Sequence, residues 1–316
     1  MKCTKKILIA LSVVAILAIS GSAYAVTRLS FGTGPIGMVF HPMGSGIATI
    51  INENVPGVSV SIQSTVGGPE NVRLASIGEI DLGLSPADNV FLAMHNQEPF
   101  AGEDIYIETL GALHATVFQI VTLRSSGIQE FEQLRGRRIA VGEPGSAPEL
   151  SFRLALEAKG WTENDVTMVY LPPEQAMDQL ADGLLDAVCV QGGIPTPAIT
   201  GIAIQNDIEL INFTPLMMER LMEIAPFLSF IELGPEHYRG LDRVITTSAQ
   251  RAMLIVRPGL DEELAYQITR AVYENLEQLE TFHAAAATIS LEAAPTVFAP
   301  LNPGAERFFR EVGLLE

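Results

Sequence analysis

Apolar and polar positions alternate over Val58 to Thr65 (VSVSIQST), a period of two that predicts a half-buried strand. Before it, TRLSF at 27–31 predicts another short strand, a Gly-rich stretch predicts a loop, and GSGIATIINEN at 44–54 predicts a helix that stops ahead of Pro56. After it, PENVRLASIG at 69–78 predicts a helix ended by Gly78, and IDLGLS at 80–85 a third strand. The first part of the chain therefore has the order βαβαβ.

That order returns about 110 residues later. RRIAVG at 137–142 predicts a strand, EPGS a loop, APELSFRLALEAKG at 147–160 a helix and VTMVYLPP at 166–173 a strand, with EQAMDQLADG and LLDAVCV following as helix and strand. The punctuation coincides as well, since Gly78 and Asp81 match Gly183 and Asp186 at one offset of 105 residues. A helix-Gly-x-x-Asp-strand repeated in the same ordinal place predicts two similar α/β lobes. FQIVTLRSSG at 118–127 and RAMLIVRPG at 251–259 are apolar strands long enough to cross between lobes, which predicts a two-strand hinge. Near the C-terminus, DEELAYQITRAVYENLEQLETF at 261–282 sets Leu264, Ile268, Ala271, Val272, Leu276 and Leu279 on one helical face. The expected architecture is a first lobe of residues 26–122 plus 255–316 and a second lobe of residues 123–254.

The N-terminus changes where this protein is expected to work. MKCTKK, the apolar run ILIALSVVAILAIS and the closing Ala23-Tyr24-Ala25 are the basic, apolar and small-residue parts of a secretory signal peptide over residues 1–25. The run is short of the ~20 residues a spanning helix needs, and Cys3 precedes it instead of marking a lipid-anchor cleavage site. A periplasmic chain, cleaved after Ala25, is expected. Of the 19 Lys and Arg, cleavage removes Lys2, Lys5 and Lys6, leaving 16 basic against 37 acidic residues, a formal charge of −21. Such a surface repels nucleic acid and anionic membranes, which sets DNA and RNA aside as partners. One cysteine, Cys189, remains, so no intrachain disulfide forms. His41, His95, His114, His237 and His283 are scattered without metal-ligand spacing, and no metal or other cofactor is expected.

In open α/β sheets ligands bind where the carboxyl ends of strands lead into helix N-termini. Here those places are Thr33–Phe40, Ser64–Gly68, Ser85–Asp88, Glu143–Glu149, Pro172–Glu174 and Gln191–Pro197, rich in Gly, Ser, Thr and amides. Backbone N–H groups and helix dipoles suit an anion there. Gly32 to Gly37 (GTGPIG) also fits the G-x-G-x-x-G of dinucleotide sites. Pro35 removes a donor from that turn, the second strand ends in Gln63 and Ser64 without a ribose-binding acid, and an exported protein meets little NAD. Ser146 and Glu149 spell S-x-x-E, either a capping box or a ligand contact. No G-x-S-x-G elbow is present, and Cys189 sits in an apolar strand as a small hydrophobe.

Taken together, GTGPIGMVFHPMGSGIATIINENVPGVSVSIQSTVGGPENVRLASIGEIDLG, LRGRRIAVGEPGSAPEL, GGIPTPAI, AMLIVRPGL and LNPGAERFFREVG run in order along nearly the whole mature chain. This series resembles the TAXI solute receptors, the substrate-binding subunits of one branch of tripartite ATP-independent periplasmic (TRAP) transporters. The resemblance implies a type II periplasmic binding protein whose two α/β lobes close on a small solute, a carboxylate or amino acid such as glutamate. It implies delivery to ion-coupled integral membrane subunits, without catalysis.

By position, the resemblance places ligand contacts at Thr33, Gly34, Gly37, Met38, Phe40 and His41 in the first loop. It adds Ser64 and Thr65 after the second strand, and Ser85, Ala87 and Asp88 after the third. From the second lobe it draws Gly145, Ser146, Ala147 and Pro148, then Gln191, Gly192, Gly193 and Pro195. The chain departs from the family where G-G-V-Y-Y has become Gly37-Met38-Val39-Phe40-His41, where Q-S-D has become Pro86-Ala87-Asp88, and at Ala147-Pro148. Several polar handles are lost, Gln191 restores an amide, and a smaller or less polar organic acid than glutamate is expected. His41 is read either as a titrating ligand contact or as the start of a helix beside Pro42. Arg73, Arg124 and Arg153 are the arginines nearest these loops, each a candidate for a ligand carboxylate or for a structural ion pair. The competing reading is a secreted two-lobed enzyme acting on a small carboxylate through Cys189, His41 or Asp88.

Overall fold

The structure, a computed structural model, describes residues 26–36 and 38–316. The signal segment expected over residues 1–25 and the contact expected at Gly37 lie outside the described residues.

In the first lobe β1 (Thr27–Gly32) pairs in parallel with β2 (Val58–Gln63) on one side and β3 (Leu82–Pro86) on the other. Helices α1 (Phe40–Asn54) and α2 (Gly68–Ser76) connect these strands, and α3 (Ala87–Met94) follows them. In the second lobe β5 (Arg138–Ala140) pairs in parallel with β6 (Thr167–Val169) and β7 (Ala187–Gly192). Helices α4 (Ala147–Lys159) and α5 (Pro173–Ala181) make the connections there, followed by α6 (Pro197–Ala203) and α7 (Pro215–Ile224). The first strand of each unit is thus the middle one, flanked by the second and the third.

The repeated punctuation has a structural cause. Gly78 and Gly183 each leave a helix with a left-handed φ, 75° and 72°, and donate N–H to the carbonyls of Ala75 and Leu180, both at 3.1 Å. Only glycine takes that conformation without steric cost. Three residues on, the Asp81 carboxylate accepts the Ser30 backbone N–H at 2.9 Å while its own N–H donates to the Ser30 carbonyl at 3.0 Å. Asp186 repeats both bonds with Arg138, at 2.8 and 2.9 Å. Each aspartate locks the third strand of its unit to the first.

Two long antiparallel strands, β4 (Glu108–Leu123) and β10 (Ile245–Val256), run between the lobes. They begin earlier than the apolar runs predict, because the Ala- and Thr-rich halves also belong to the ladder. The sheet order is β2-β1-β3-β10-β4-β7-β5-β6, with β8 (Ile208–Leu210) on β4 and β9 (Leu228–Leu233) on β10. One core holds Leu84, Leu110, Leu113 and Leu254, and another holds Ala115, Val117, Val190 and Ala249. Both crossing strands therefore change cores in their middles, near Ala115 and Gln250. This is the mixed α/β architecture of two-lobed, type II solute-binding proteins.

The helix predicted over 261–282 is two helices, α8 (Glu262–Glu274) and α9 (Leu276–Glu280), with α10 (Pro303–Glu311) packed on the first. Asn275 leaves helical geometry at φ −125°, ψ 35°, and its side-chain amide donates to the Ala271 carbonyl at 2.7 Å. That bond satisfies an orphan carbonyl at the break, and Ile268, Val272 and Leu279 are still buried. Among the described residues no helix is long and apolar enough to cross a membrane.

Candidate ligand-binding cleft

The carboxyl ends of the strands face each other across a cleft of about 500 Å³. Its first-lobe wall is Gly34, Pro35, Met38, Val39 and Phe40, from the turn between β1 and α1, with Val66, Gly67, Gly68 and Pro86. Ala147, Gln191, Gly192 and Gly193 form the second-lobe wall, and the crossing strands supply Thr116, Gln250, Arg251 and Ala252. His283 and Ala285, beyond α9, complete the lining. A volume in the range of about 300–1,000 Å³ suits a small solute.

Seven of the sequence-predicted residues line this space: Gly34, Met38, Phe40, Ala147, Gln191, Gly192 and Gly193. Several others build the loops behind it. The Thr33 hydroxyl donates to the Gln63 carbonyl at 3.1 Å, Ser64 to the Gly34 carbonyl at 3.0 Å, Thr65 to the Thr33 carbonyl at 3.3 Å and Ser85 to the Gly68 carbonyl at 3.5 Å. Ala87 is buried in the core under α3. Asp88 accepts the Asn89 N–H at 2.6 Å and is bonded to the Gln250 side chain; burial, opposed by those bonds, raises its carboxyl above the ordinary range. His41 stands in the first turn of α1, with Nδ1 buried and without a partner. Gly145 and Pro195 are exposed beside the walls, Pro195 after a cis peptide bond, and Pro148 is half-buried in the first turn of α4.

The S-x-x-E capping box is not formed. Ser146 is the N-cap of α4, but its hydroxyl is buried without a partner. Glu149 instead accepts the Gly145 N–H at 2.5 Å and two Arg153 donors at 2.6 and 2.9 Å, with the Tyr170 hydroxyl at 3.2 Å. An arginine one turn along competes better for the carboxylate than a single backbone N–H. Gln191 is oriented from two sides, its Oε1 accepting from Ser151 at 2.7 Å and its Nε2 donating to Thr116 at 3.4 Å.

All three arginines proposed from sequence are spoken for. Arg73 pairs with Glu103 at 2.6 Å, Arg124 pairs with Asp242 and with buried Glu209, and Arg153 pairs with Glu149 and Glu163. The arginine in the cleft is Arg251, which sequence reasoning passed over as part of a crossing strand. A visible signal was its place as the one charge in the strand ITTSAQRAMLIV.

Arg251 lies beside a β-bulge, where Leu113 and His114 of β4 together oppose Ala252 of β10. Bulges interrupt the ladder and re-aim side chains. Nη1 of Arg251 donates to the Leu113 carbonyl at 3.1 Å and to the Thr288 carbonyl at 3.2 Å, while the Thr288 hydroxyl accepts the Ala115 N–H at 2.8 Å. Neither bond involves a carboxylate, and among the described residues Nε and Nη2 have no hydrogen-bond partner and are not sealed from solvent. That leaves the Nε–Nη2 edge, a two-pronged donor, open. Burial lowers the guanidinium's pKa, yet an arginine stays protonated at such a site.

Two histidines flank it. His283 accepts the Ala285 N–H on Nδ1 at 3.1 Å, which leaves Nε2 as its donor nitrogen. His114, on the bulge, is fully buried with both ring nitrogens unpartnered, and Phe40 meets it edge-on at 5.6 Å and 82°. Burial, helped by the charges of His283 and Arg251, pushes its pKa down to about 3, so it is neutral at ordinary pH. Cys189 is buried in the core of the second lobe, where burial raises its thiol well above the ordinary range. It does not line the cleft. Among the described residues no group of His, Cys, Asp or Glu is arranged to hold a metal ion.

Solved structures share this architecture. The periplasmic sulfonate-binding protein SsuA of a putative sulfonate ABC transporter from Methylobacillus flagellatus KT aligns at 14% identity over 92% of this chain and 88% of its own, with a TM-score of 0.50. The periplasmic aliphatic sulphonate binding protein SsuA from Escherichia coli aligns at 16% over 90% and 83%, with a TM-score of 0.48. YtmK, the probable amino-acid ABC transporter extracellular-binding protein from Bacillus subtilis, aligns at 12% over 81% and 96%, also at 0.48. At such identities the likeness is one of fold, and the first of the three carries it. Residues 31–313, nearly the whole described chain, match a single family as well, and the protein belongs to the NMT1-like family.

Proposed function

We propose that this protein is an exported solute receptor of the TAXI type, which captures a small organic acid or amino acid between its lobes and delivers it to the ion-coupled membrane subunits of a TRAP transporter. The observation that carries the reading is the open Nε–Nη2 edge of Arg251, set between the lobes with no carboxylate partner among the described residues. A carboxylate bound there makes two parallel charge-assisted hydrogen bonds. Because Arg251 sits where the crossing strands change cores, the ligand is held at the hinge while Ala147 and Gln191 reach it from the second lobe. Contacts from both walls exist together only when the lobes are closed, so binding favours the closed form.

A solved protein of similar fold carries the name of a sulfonate-binding protein of an ABC transporter, which supports small anions as ligands of this architecture. The TRAP assignment rests on the run of TAXI-like motifs from GTGPIGMVF to LNPGAERFFREVG. Native mass spectrometry of freshly purified protein tests the receptor reading. A retained organic acid that is lost from an Arg251→Gln variant supports it; a small molecule chemically converted by the protein would replace it with an enzyme.

A further inference from the structure

The walls of the cleft are uneven in charge. Arg251 lines the cleft, and among the described residues no aspartate or glutamate side chain does. The acidic side chains bonded next to the lining have partners of their own: Asp88 accepts the Asn89 N–H, Glu149 accepts from Gly145 and Arg153, and Glu70 accepts the N–H of Val66 at 2.7 Å. An ammonium group entering with a ligand therefore finds no carboxylate among the described lining side chains to receive it. Desolvating an unpaired charge is costly, and the cationic Arg251 nearby adds repulsion.

Much of the first-lobe lining is apolar. Met38 and Val66 leave 61% and 81% of their surface exposed, and Phe40 and Pro86 line the cleft with them. Large hydrophobic residues gathered at a concave surface are covered when a ligand with apolar surface binds. Phe40 and Pro86 offer a ligand tail neither a hydroxyl nor a side-chain amide there.

We propose that the cleft selects monoanionic acids with an apolar body and no ammonium group, and so discriminates against amino acids. The inference rests on the receptor reading above and narrows its ligand class. Calorimetric titration of the mature chain with matched pairs tests it: 4-methylpentanoate against leucine, 3-phenylpropanoate against phenylalanine, and pentanoate against glutarate. The first two pairs differ by one ammonium group and the third by a second carboxylate. The expected result is that the first-named acid binds at least tenfold more tightly in each pair. Equal or tighter binding of the amino acid or of glutarate overturns the inference and leaves the receptor reading intact. If no member of the panel binds, the solute retained by the purified protein decides. A retained ammonium-free monoacid supports the inference, and a retained amino acid overturns it. Absence of both binding and retained solute removes the receptor reading and this inference with it.

Discussion

Arg251 and Leu113 face each other across a β-bulge, the guanidinium Nη1 donating to the Leu113 carbonyl at 3.1 Å. The bulge that interrupts the ladder thereby holds one edge of the arginine and presents the other to the cleft. Substituting Arg251 by Gln removes both functions. Ligand affinity is expected to fall by at least a hundredfold, about 2.7 kcal/mol, as for other buried charge pairs that lose a partner. Arg251→Lys keeps the charge without the fork and is expected to fall between. Calorimetry with the retained solute reads both, and wild-type affinity in Arg251→Gln would contradict the assignment.

His114 makes stability depend on pH. Its imidazole titrates near 6.5 when unfolded and at about 3 in the buried site, so between those values the unfolded chain binds a proton that the folded chain does not. Stability therefore rises with pH through this window, by up to about 1.4 kcal/mol per unit, and the gain is complete above the unfolded value. His114→Leu, which also removes two unpartnered buried nitrogens, is expected to flatten the slope between pH 4 and about 6 in denaturant melts. An unchanged slope would show that other groups set it.

The two aspartate locks act in separate lobes. Burial opposes ionisation of Asp81, but bonds from Ser30 and Arg257 outweigh it and hold its carboxyl below the ordinary range; the Arg138 bond holds Asp186 low as well. Each therefore contributes stability that is present above the unfolded value and lost as pH falls through the folded one. Asp81→Ala and Asp186→Ala are each expected to cost about 1–3 kcal/mol. Because the two sites share no partner, the double variant is expected to show the sum within about 0.5 kcal/mol. Thermal melts at neutral pH check this, and strong coupling would point to a shared network.

Uptake distinguishes the transporter class. In membrane vesicles holding the cognate subunits, solute uptake is expected to stop when the ion gradient is collapsed and to continue when ATP is withheld. A requirement for ATP would replace the TRAP partner with an ABC one.

The duplicated units were legible because backbone geometry demanded particular residues. Gly78 and Gly183 are needed for left-handed helix ends, and Asp81 and Asp186 for strand locks. The loops carrying Phe40 and Gln191 were legible from strand order alone. Arg251 was not, because what distinguishes it from Arg73, Arg124 and Arg153 is the absence of a carboxylate partner, and pairing is decided by tertiary contacts. The bulge at Leu113–His114 leaves no mark in an apolar run, and His283 comes to the cleft only through the break at Asn275. Glu149 shows the converse, a local capping signal overridden by Arg153.

The central claim is that a small acid binds between the lobes on the open edge of Arg251. A crystal structure of the protein with its retained or titrated solute tests this most directly. The expected result is a carboxylate within hydrogen-bond distance of Nε and Nη2, with the ligand's body against Phe40 and Met38. A solute bound elsewhere, or in the cleft without contact to Arg251, would contradict it.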